Sequence, residues 1–345
     1  MTTFSFLDDY SEGAHPDILR ALTESNYIQQ AAYGEDSYSA EATTRIKACL
    51  GDTFDGAIHY VASGTMANIV SISSCLRPHE AVIAVNSGHI VVREAGAIEA
   101  TGHKLITVPA VDGKLTPANI EAALAGNAHF PHMAKPRLIY LSNATETGTV
   151  YTLAELREIS ALARQRDLIL FLDGARLGAA LASSKNDATL ADIASLVDLF
   201  WIGGTKAGAL LGEAIVVCNP ALTQDFAFHL KQRGGMLAKG RLLGIQFQAL
   251  FGVKNLFFEN AKHANAMAAK LASGIVSSGY ALDAEAATNQ VFPILPDSVI
   301  SSLKQQFAFY VWRKPDNDHS VIRMVTSWAT QEHLVDAFLA RLAQL

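Results

Sequence analysis

Leu168-Ile169-Leu170-Phe171-Leu172-Asp173-Gly174-Ala175-Arg176 and, one helix-sized spacer later, Leu199-Phe200-Trp201-Ile202-Gly203-Gly204-Thr205-Lys206 decide the reading of this chain. Each begins as a short apolar run that stops at turn residues, the pattern of a buried strand in an α/β sheet. Each then delivers one charged side chain. Ligand sites of open α/β sheets lie at the carboxyl ends of the strands, so the Asp and the Lys are expected on one edge. Taken singly, Asp173-Gly174 reads as a plain turn and Lys206 as a solvated surface lysine. The two in this order read as a charge pair with a function. Gly203-Gly204-Thr205-Lys206 is not a phosphate-binding P-loop, because threonine precedes the lysine and the four-residue spacer between the glycines is absent.

Working outward, further strand-like runs occupy residues 58–62, 81–85, 104–108, 137–142 and 214–218, and helical stretches fill 65–76, 90–101, 117–125 and 153–166. This alternation predicts an α/β fold with a mostly parallel seven-stranded sheet covered on both faces. Beyond Cys218 come long helices over 237–250 and 260–278, then short strands at 290–294, 310–313 and 321–325 and a closing helix at 331–345. Residues 314–320 are a polar, linker-like turn. The expected organisation is a helical amino-terminal segment (1–50) that packs on both domains and the subunit interface, a large domain (51–255) and a small carboxy-terminal α/β domain (256–345).

The composition narrows the class. Half of the 345 residues are hydrophobic and only 17% are charged, which suits a well-buried enzyme with part of its surface in an oligomer interface. A net charge of −6 without a Lys/Arg cluster argues against a nucleic-acid partner. Cys49, Cys75 and Cys218 lie far apart, with neither metal-ligand spacing nor a disulfide framework, so no metal is expected and a reducing cytoplasm is. The start, Met1-Thr2-Thr3-Phe4-Ser5-Phe6-Leu7, has no basic region or long apolar stretch and does not read as a signal peptide. No run reaches membrane-spanning length, so no membrane partner is expected.

A lysine and an aspartate on one sheet edge suit pyridoxal phosphate chemistry, in which the amine forms a Schiff base and the carboxylate keeps the ring nitrogen protonated. Ser63-Gly64-Thr65-Met66-Ala67-Asn68 follows a strand and opens a helix. It reads either as an N-cap or as a phosphate seat, where backbone N–H groups and the helix dipole attract an anion. The presence of Asp173 and Lys206 favours the seat. His89, in Asn86-Ser87-Gly88-His89, also has two readings: a flat platform for a pyridine ring, or an ordinary helix-start histidine. Glu94 and Glu99 read equally well as solvated helix residues.

Read in order, these motifs resemble the threonine aldolases of the β-eliminating lyase group, within the aspartate-aminotransferase-like (fold type I) pyridoxal phosphate enzymes. The resemblance spans nearly the whole chain. It is carried by Asp9-Tyr10-Ser11-Glu12-Gly13-Ala14-His15-Pro16, Tyr33-Gly34-Glu35-Asp36, the Ser63–Asn68 motif, His89 with Glu94-Ala95-Gly96, Leu172–Arg176, Thr205-Lys206, Gly234-Gly235-Met236 and Ile322-Arg323-Met324-Val325-Thr326. It implies a large transferase-type domain and aldol cleavage of L-threonine, L-allo-threonine and related β-hydroxy-α-amino acids such as phenylserine to glycine and an aldehyde. Another fold type I reaction, transamination or β-elimination from an amino acid, is the alternative.

By the same resemblance Lys206 is the Schiff-base lysine, Asp173 pairs with the ring nitrogen and His89 stacks on the ring, with Glu94 as a further catalytic residue. Ser63, Gly64, Thr65 and Thr205 join them in holding the cofactor, and the phosphate contact that many relatives draw from an arginine after Gly234-Gly235-Met236 falls here to Lys239, Arg233 or Arg241. Arg176 lies near the ring hydroxyl and the substrate carboxylate, Arg323 clamps that carboxylate, and Tyr33 and Thr145 also face the substrate. A cytoplasmic homodimer or homotetramer is implied, with Tyr33 and the 233–241 stretch crossing between subunits. The chain departs from the family pattern in three places. Ser142-Asn143-Ala144-Thr145-Glu146 lacks the histidine found in many relatives, Leu237 replaces an arginine after Gly234-Gly235-Met236, and Asp8-Asp9 stands where many relatives have Ser-Asp. The catalytic base is therefore open among His89, Glu94, Glu146 and a bound water.

Overall fold

A computed structural model describes residues 4–345; residues 1–3, the first part of the amino terminus read above, lie outside the described residues. After a two-residue strand β1 (Phe4–Ser5), the chain lays down β2 (Ala57–Val61), β3 (Glu80–Val85), β4 (Lys104–Val108), β5 (Lys135–Ser142), β6 (Ile169–Asp173), β7 (Leu199–Gly203) and β8 (Glu213–Val217). The last seven form one sheet in the order β2-β8-β7-β6-β5-β3-β4. Pairs β3–β4, β3–β5, β5–β6 and β6–β7 are parallel. Helices such as Pro117–Gly126, Leu153–Gln165 and Leu190–Leu196 supply the crossovers that parallel strands require.

β8 alone runs against the direction of the other six strands. Between β7 and β8 lie residues 204–212, which hold a single 3-10 turn, Thr205–Ala207, and no crossover helix. The chain therefore re-enters the sheet from the edge it has just left. This brings the first residue of β8, Glu213, to the edge where the parallel strands end.

Every residue of β6 and β7 is buried, which is why both read as continuous apolar runs rather than alternating ones. Successive side chains still go to opposite faces: Leu172 and Phe200 join the core cluster on one side, Phe171 and Trp201 the cluster on the other.

The carboxy-terminal part holds β9 (Ala281–Leu282), β10 (Gln290–Val291), β11 (Pro293–Pro296), β12 (Phe307–Ala308), β13 (Tyr310–Arg313) and β14 (His319–Val325). Strands β10, β14, β11 and β9 form a second sheet in that order, with β13 also on β14, and β12 pairs with β1. The Leu256–Ser277 helix covers this part through Met267, Leu271 and Ile275, packed with Phe338 and Phe6.

Two expected elements are broken. The strand expected over 290–294 divides into β10 and β11, because Pro293 has no N–H for the ladder; Val291 still faces Met324 and Ile294 faces Val321, so the register is kept. The helix expected over 90–101 is reduced to His89–Val92 and a 3-10 turn Glu99–Thr101, because Ala95 (φ 51°) and Gly96 (φ 73°) turn left-handed between them. Among the described residues no helix is long and apolar enough to cross a membrane, and no cluster of three His, Cys, Asp or Glu side chains is placed to hold a metal.

Candidate active site

The ends of β2, β3, β6 and β7 and the start of β8 surround a cavity of about 310 Å³ lined by Ser63, Gly64, Thr65, Asn68, His89, Glu94, Asp173, Trp201, Thr205, Lys206 and Glu213. A second cavity of about 430 Å³ shares Tyr10, His89 and Lys206 with it and adds Asp8, Glu146, Arg176, Gln290, Trp312 and Arg323. The two strand-end charges thus meet in one place, with an arginine from each part of the molecule beside them.

Asp173 is 3% exposed. Its Oδ1 accepts the Ala175 N–H at 2.9 Å, and its Oδ2 accepts Tyr140 Oη–H at 2.6 Å and Asn68 Nδ2–H at 3.0 Å. Among the described residues no Lys, Arg or His forms an ion pair with it. A buried carboxylate held only by neutral donors is costly unless an opposite charge arrives, and a protonated ring nitrogen is such a charge.

Lys206 sits on the Thr205–Ala207 turn with Nζ 5.8 Å from the Tyr10 ring centroid. Among the described residues it makes no hydrogen bond or ion pair. Burial, followed by the charge of Arg176, pulls its amine below the ordinary lysine range, against the opposing charges of Asp9, Asp173 and Glu213. A lowered pKa raises the share of free amine, the form that attacks an aldehyde. The free amine and the unpaired acid fit pyridoxal phosphate.

Ser63 caps the Gly64–Cys75 helix, accepting the Met66 N–H at 3.3 Å. The N-cap reading of Ser63 therefore holds, and Ser63, Gly64 and Thr65 also line the smaller cavity. A Cβ on Gly64 would lie 2.9 Å from the Trp201 ring, so glycine here allows close packing on Trp201. Trp201 in turn donates to Asn68 Oδ1 at 3.1 Å.

His89 is fixed twice: its Nδ1 lies 2.7 Å from Glu94 Oε1, and its backbone N–H donates to Glu146 Oε1 at 3.0 Å. Because Glu94 Oε1 also accepts from Asn68 at 2.8 Å, the network assigns the ring proton to Nδ1. Glu94 is buried, not a solvated helix residue.

Arg176 grips Asp9 with both arms, Nε to Oδ2 at 2.7 Å and Nη2 to Oδ1 at 3.0 Å, and Asn289 adds a hydrogen bond to Asp9 at 2.9 Å. Burial opposes the Asp9 charge, but the charges of Arg176 and Lys206 and the hydrogen bonds from Arg176 and Asn289 outweigh it, holding the carboxyl down to about 2 against an ordinary 3.8. The folded value lies below the unfolded one, so this stabilisation is present above about pH 4 and is lost as the pH falls through about 2. Urea unfolding near neutral pH should place Asp9→Asn about 3–5 kcal/mol below the unmodified protein, the cost of breaking a buried pair. The gap should narrow as the pH falls from 4 to 2; a gap independent of pH would contradict the pairing.

Arg323 has a different environment. Its Nε donates to Gln290 Oε1 at 3.1 Å and its guanidinium lies 5.7 Å from the Trp312 ring centroid, and among the described residues no carboxylate pairs with it. Burial and then the charge of Arg176 pull it down to about 10. Two guanidinium groups bordering one cavity, one of them without an acid, make a seat for a carboxylate.

Four sequence-selected residues lie elsewhere or turn inward. Thr205 donates to Glu213 Oε1 at 2.8 Å and accepts the Gly212 N–H at 3.1 Å, closing its own turn at the cavity wall. Thr145 is buried against Thr149 (2.7 Å) and Thr147 (3.2 Å) and lines neither cavity, whereas its neighbour Glu146 does. Lys239 is exposed and also lines neither. Tyr33 borders a separate cavity of about 480 Å³ with Asp36, Tyr60 and Met236.

Asn68, Tyr140, Trp201, Gln290, Asp9 and Glu213 belong to the site and were not selected from the sequence. Asn68 and Asp9 stand inside motifs already noted, a usable signal; Gln290 and Tyr140 carry none. Glu213 accepts the Gly204 N–H at 2.8 Å, and burial pushes its carboxyl up to about 7.

The family model for beta-eliminating lyases matches residues 13–298. A low specificity L-threonine aldolase of Pseudomonas sp. (strain NCIMB 10558) is 32% identical over 334 residues, covering 95% of this chain and 93% of that protein. Another, from Pseudomonas aeruginosa, is 33% identical over 316 residues and covers 90% of each. The solved threonine aldolase of Leishmania major superposes with a TM-score of 0.96 at 47% identity, covering 99% of both chains. An aspartate aminotransferase of Thermus thermophilus, at 13% identity and a TM-score of 0.73, shares the fold alone.

Proposed function

Because this chain belongs to the beta-eliminating lyase family, we propose that it is a pyridoxal-phosphate-dependent aldehyde-lyase, cleaving L-threonine, L-allo-threonine and related β-hydroxy-α-amino acids such as phenylserine to glycine and an aldehyde. The observation that carries this reading is the meeting of an unpaired amine, Lys206, with a buried acid lacking a counter-ion, Asp173, beside an arginine without an acid, Arg323. Incubation of the purified protein with threonine or phenylserine should release glycine and the matching aldehyde in equal amounts. Release of a keto acid instead would favour transamination or β-elimination.

When bound, the cofactor supplies an electrophilic aldehyde and a ring that takes up the electron pair released on Cα–Cβ cleavage. The residues of the chain do the rest. Lys206 offers its amine, and the Gly64 and Thr65 N–H groups with the Ser63–Thr65 hydroxyls offer donors to a phosphate. Asp173 keeps a proton on the ring nitrogen. This matters most as negative charge develops, so it stabilises the transition state more than the ground state. His89, held by Glu94, gives the ring a flat platform.

Arg323 holds the substrate carboxylate and thereby fixes which bond at Cα stands ready to break, with Arg176 alongside. Replacing Arg323 with Ala should raise KM for phenylserine about 10–100-fold, the worth of a charged hydrogen-bonded contact of roughly 1.5–3 kcal/mol, with a smaller change in kcat. An unchanged KM would remove Arg323 from this role.

We also propose a cytoplasmic homodimer or homotetramer. The three free cysteines suit a reducing compartment. Tyr33 and Lys239, away from the Lys206 cavities of their own chain, suit contributions to a neighbouring subunit's site. Sedimentation as a monomer under assay conditions would refute the assembly.

A further inference from the structure

The turn that carries Lys206 is closed by a carboxylate as well as by backbone. Glu213 Oε2 accepts the Gly204 N–H and its Oε1 accepts Thr205 Oγ–H, both at 2.8 Å. Thr205 Oγ also accepts the Gly212 N–H at 3.1 Å. A hydroxyl has one proton to give and two acceptor sites. That proton is spent on Glu213, so Thr205 has none left for a ligand, although it is half-buried and lines the smaller cavity with Ser63, Gly64 and Thr65. Glu213 stands opposite Val61, at the end of the strand that leads into Ser63. Left ionised, its carboxylate would stand beside the proposed phosphate seat as a like charge.

Resting on the pyridoxal phosphate reading above, we infer that Glu213 takes up a proton as the phosphate binds and thereby turns the Thr205 hydroxyl toward it. The proton comes from solvent and bonds to Oε1. The Glu213 O–H then donates to Thr205 Oγ, which keeps the Gly212 N–H as its other donor and gives its own proton to a phosphate oxygen. The Gly204 N–H stays on Oε2. Every donor and acceptor of the turn remains paired, and Glu213 acts through Thr205 without touching the ligand.

The surroundings suit this exchange. Burial pushes the Glu213 carboxyl up to about 7, against the hydrogen bond from Thr205, the charge of Lys206 and the Gly204 N–H. A phosphate dianion beside it strengthens its hold on a proton further. Lys206 is the cation that faces it, and Tyr10, His89, Glu94 and Asp173 share its cavity. Of the elements packed on β8, β2 brings His59 and Tyr60, opposite Ile215 and Ala214 rather than Glu213. Strand β7 and the Gly64–Cys75 helix carry no charged side chain. Glu94 and Asp173, the other carboxylates of the cavity, are bonded to Asn68 and not to the lysine turn.

The test uses the whole chain freed of cofactor, with deoxypyridoxine phosphate as probe, which keeps the ring and the phosphate but has no aldehyde to react with Lys206. Titration calorimetry at about pH 8, in buffers of different ionisation enthalpy, counts the protons taken up per molecule bound. The unmodified protein should take up about one proton more than Glu213→Gln. The glutamine amide donates to Thr205 as the protonated acid would, so this variant needs no proton from solvent. For the same reason the affinity of the unmodified protein, divided by that of Glu213→Gln, should fall about tenfold or more between about pH 7 and about pH 9. Thr205→Val should bind about 10–100-fold more weakly at about pH 7, the worth of a hydrogen bond to a charged group.

Equal proton uptake by the unmodified protein and Glu213→Gln overturns the inference, as does undiminished binding by Thr205→Val; either result leaves the cofactor reading standing. Should Glu213→Gln fail to fold, the other two measurements decide: binding by the unmodified protein without proton uptake overturns the inference, and uptake together with the loss in Thr205→Val supports it. An unmodified protein that binds no probe at any of these pH values refutes the cofactor reading itself.

Discussion

Lys206→Ala is expected to lose all borohydride-stable attachment of pyridoxal phosphate and to cleave phenylserine at least about 10³-fold more slowly, since the amine proposed to anchor the cofactor is gone. Lys206 is the one lysine lining either cavity, so no nearby amine can replace it. The loss should not come from unfolding, because among the described residues Lys206 makes no hydrogen bond or ion pair that the substitution would break. Its removal also leaves Asp9 with its closer partner, Arg176 at 2.7 Å. Far-ultraviolet circular dichroism should be unchanged. After borohydride treatment of the unmodified protein, the labelled peptide should be the one carrying Thr205-Lys206; a label on another peptide would remove the basis of the functional assignment.

The second large effect is expected from Asp173→Asn, a fall in kcat of about 10²–10³-fold, the scale of losing one preorganised group aimed at developing charge. KM for the amino acid should change much less, because Arg176 and Arg323, the proposed carboxylate seat, line the other cavity. Asparagine is the right replacement. Alanine would strand Tyr140 Oη, which donates to Asp173 at 2.6 Å, and Asn68 Nδ2 at 3.0 Å, adding roughly 1–3 kcal/mol of destabilisation for each buried unsatisfied group. Asparagine keeps an acceptor for both, while losing the charge and the Ala175 N–H bond to Oδ1. A shift in the visible spectrum of the bound cofactor would report the weakened hold on the ring proton independently of turnover. Unchanged turnover would show that Asp173 does not support the electron-accepting ring.

Much of this could be read along the chain because the relevant signals are local. The runs ending at Asp173 and Gly203 are apolar throughout since both strands are buried on two faces, and the charged residue that follows marks the exit from the sheet. Elements were misread where a single backbone feature overrode the pattern. Pro293 interrupts a ladder that its neighbours continue in register, and the left-handed Ala95-Gly96 pair ends a helix that apolar spacing alone would extend. Thr145 illustrates a limit of motif reading: the segment was identified, but which of two adjacent side chains meets the cavity depends on the turn it makes.

The amino-acid sequence by itself determined the fold class, the edge of the sheet that carries the chemistry, and the two residues, Asp173 and Lys206, on which the cofactor assignment rests. These follow from hydrophobic period and from what stands at a strand's end. The tertiary structure alone decided which charges are neutralised and which are left open. Asp9 lies 167 positions from the arginine it pairs with, and Gln290 stands 33 before the one it steadies. Glu213 reaches the site only because its strand runs backwards through the sheet. Hydrogen bonds and charge act over a few ångströms whatever the separation along the chain. A carboxylate's availability as partner, anchor or base is therefore settled by its neighbours in space.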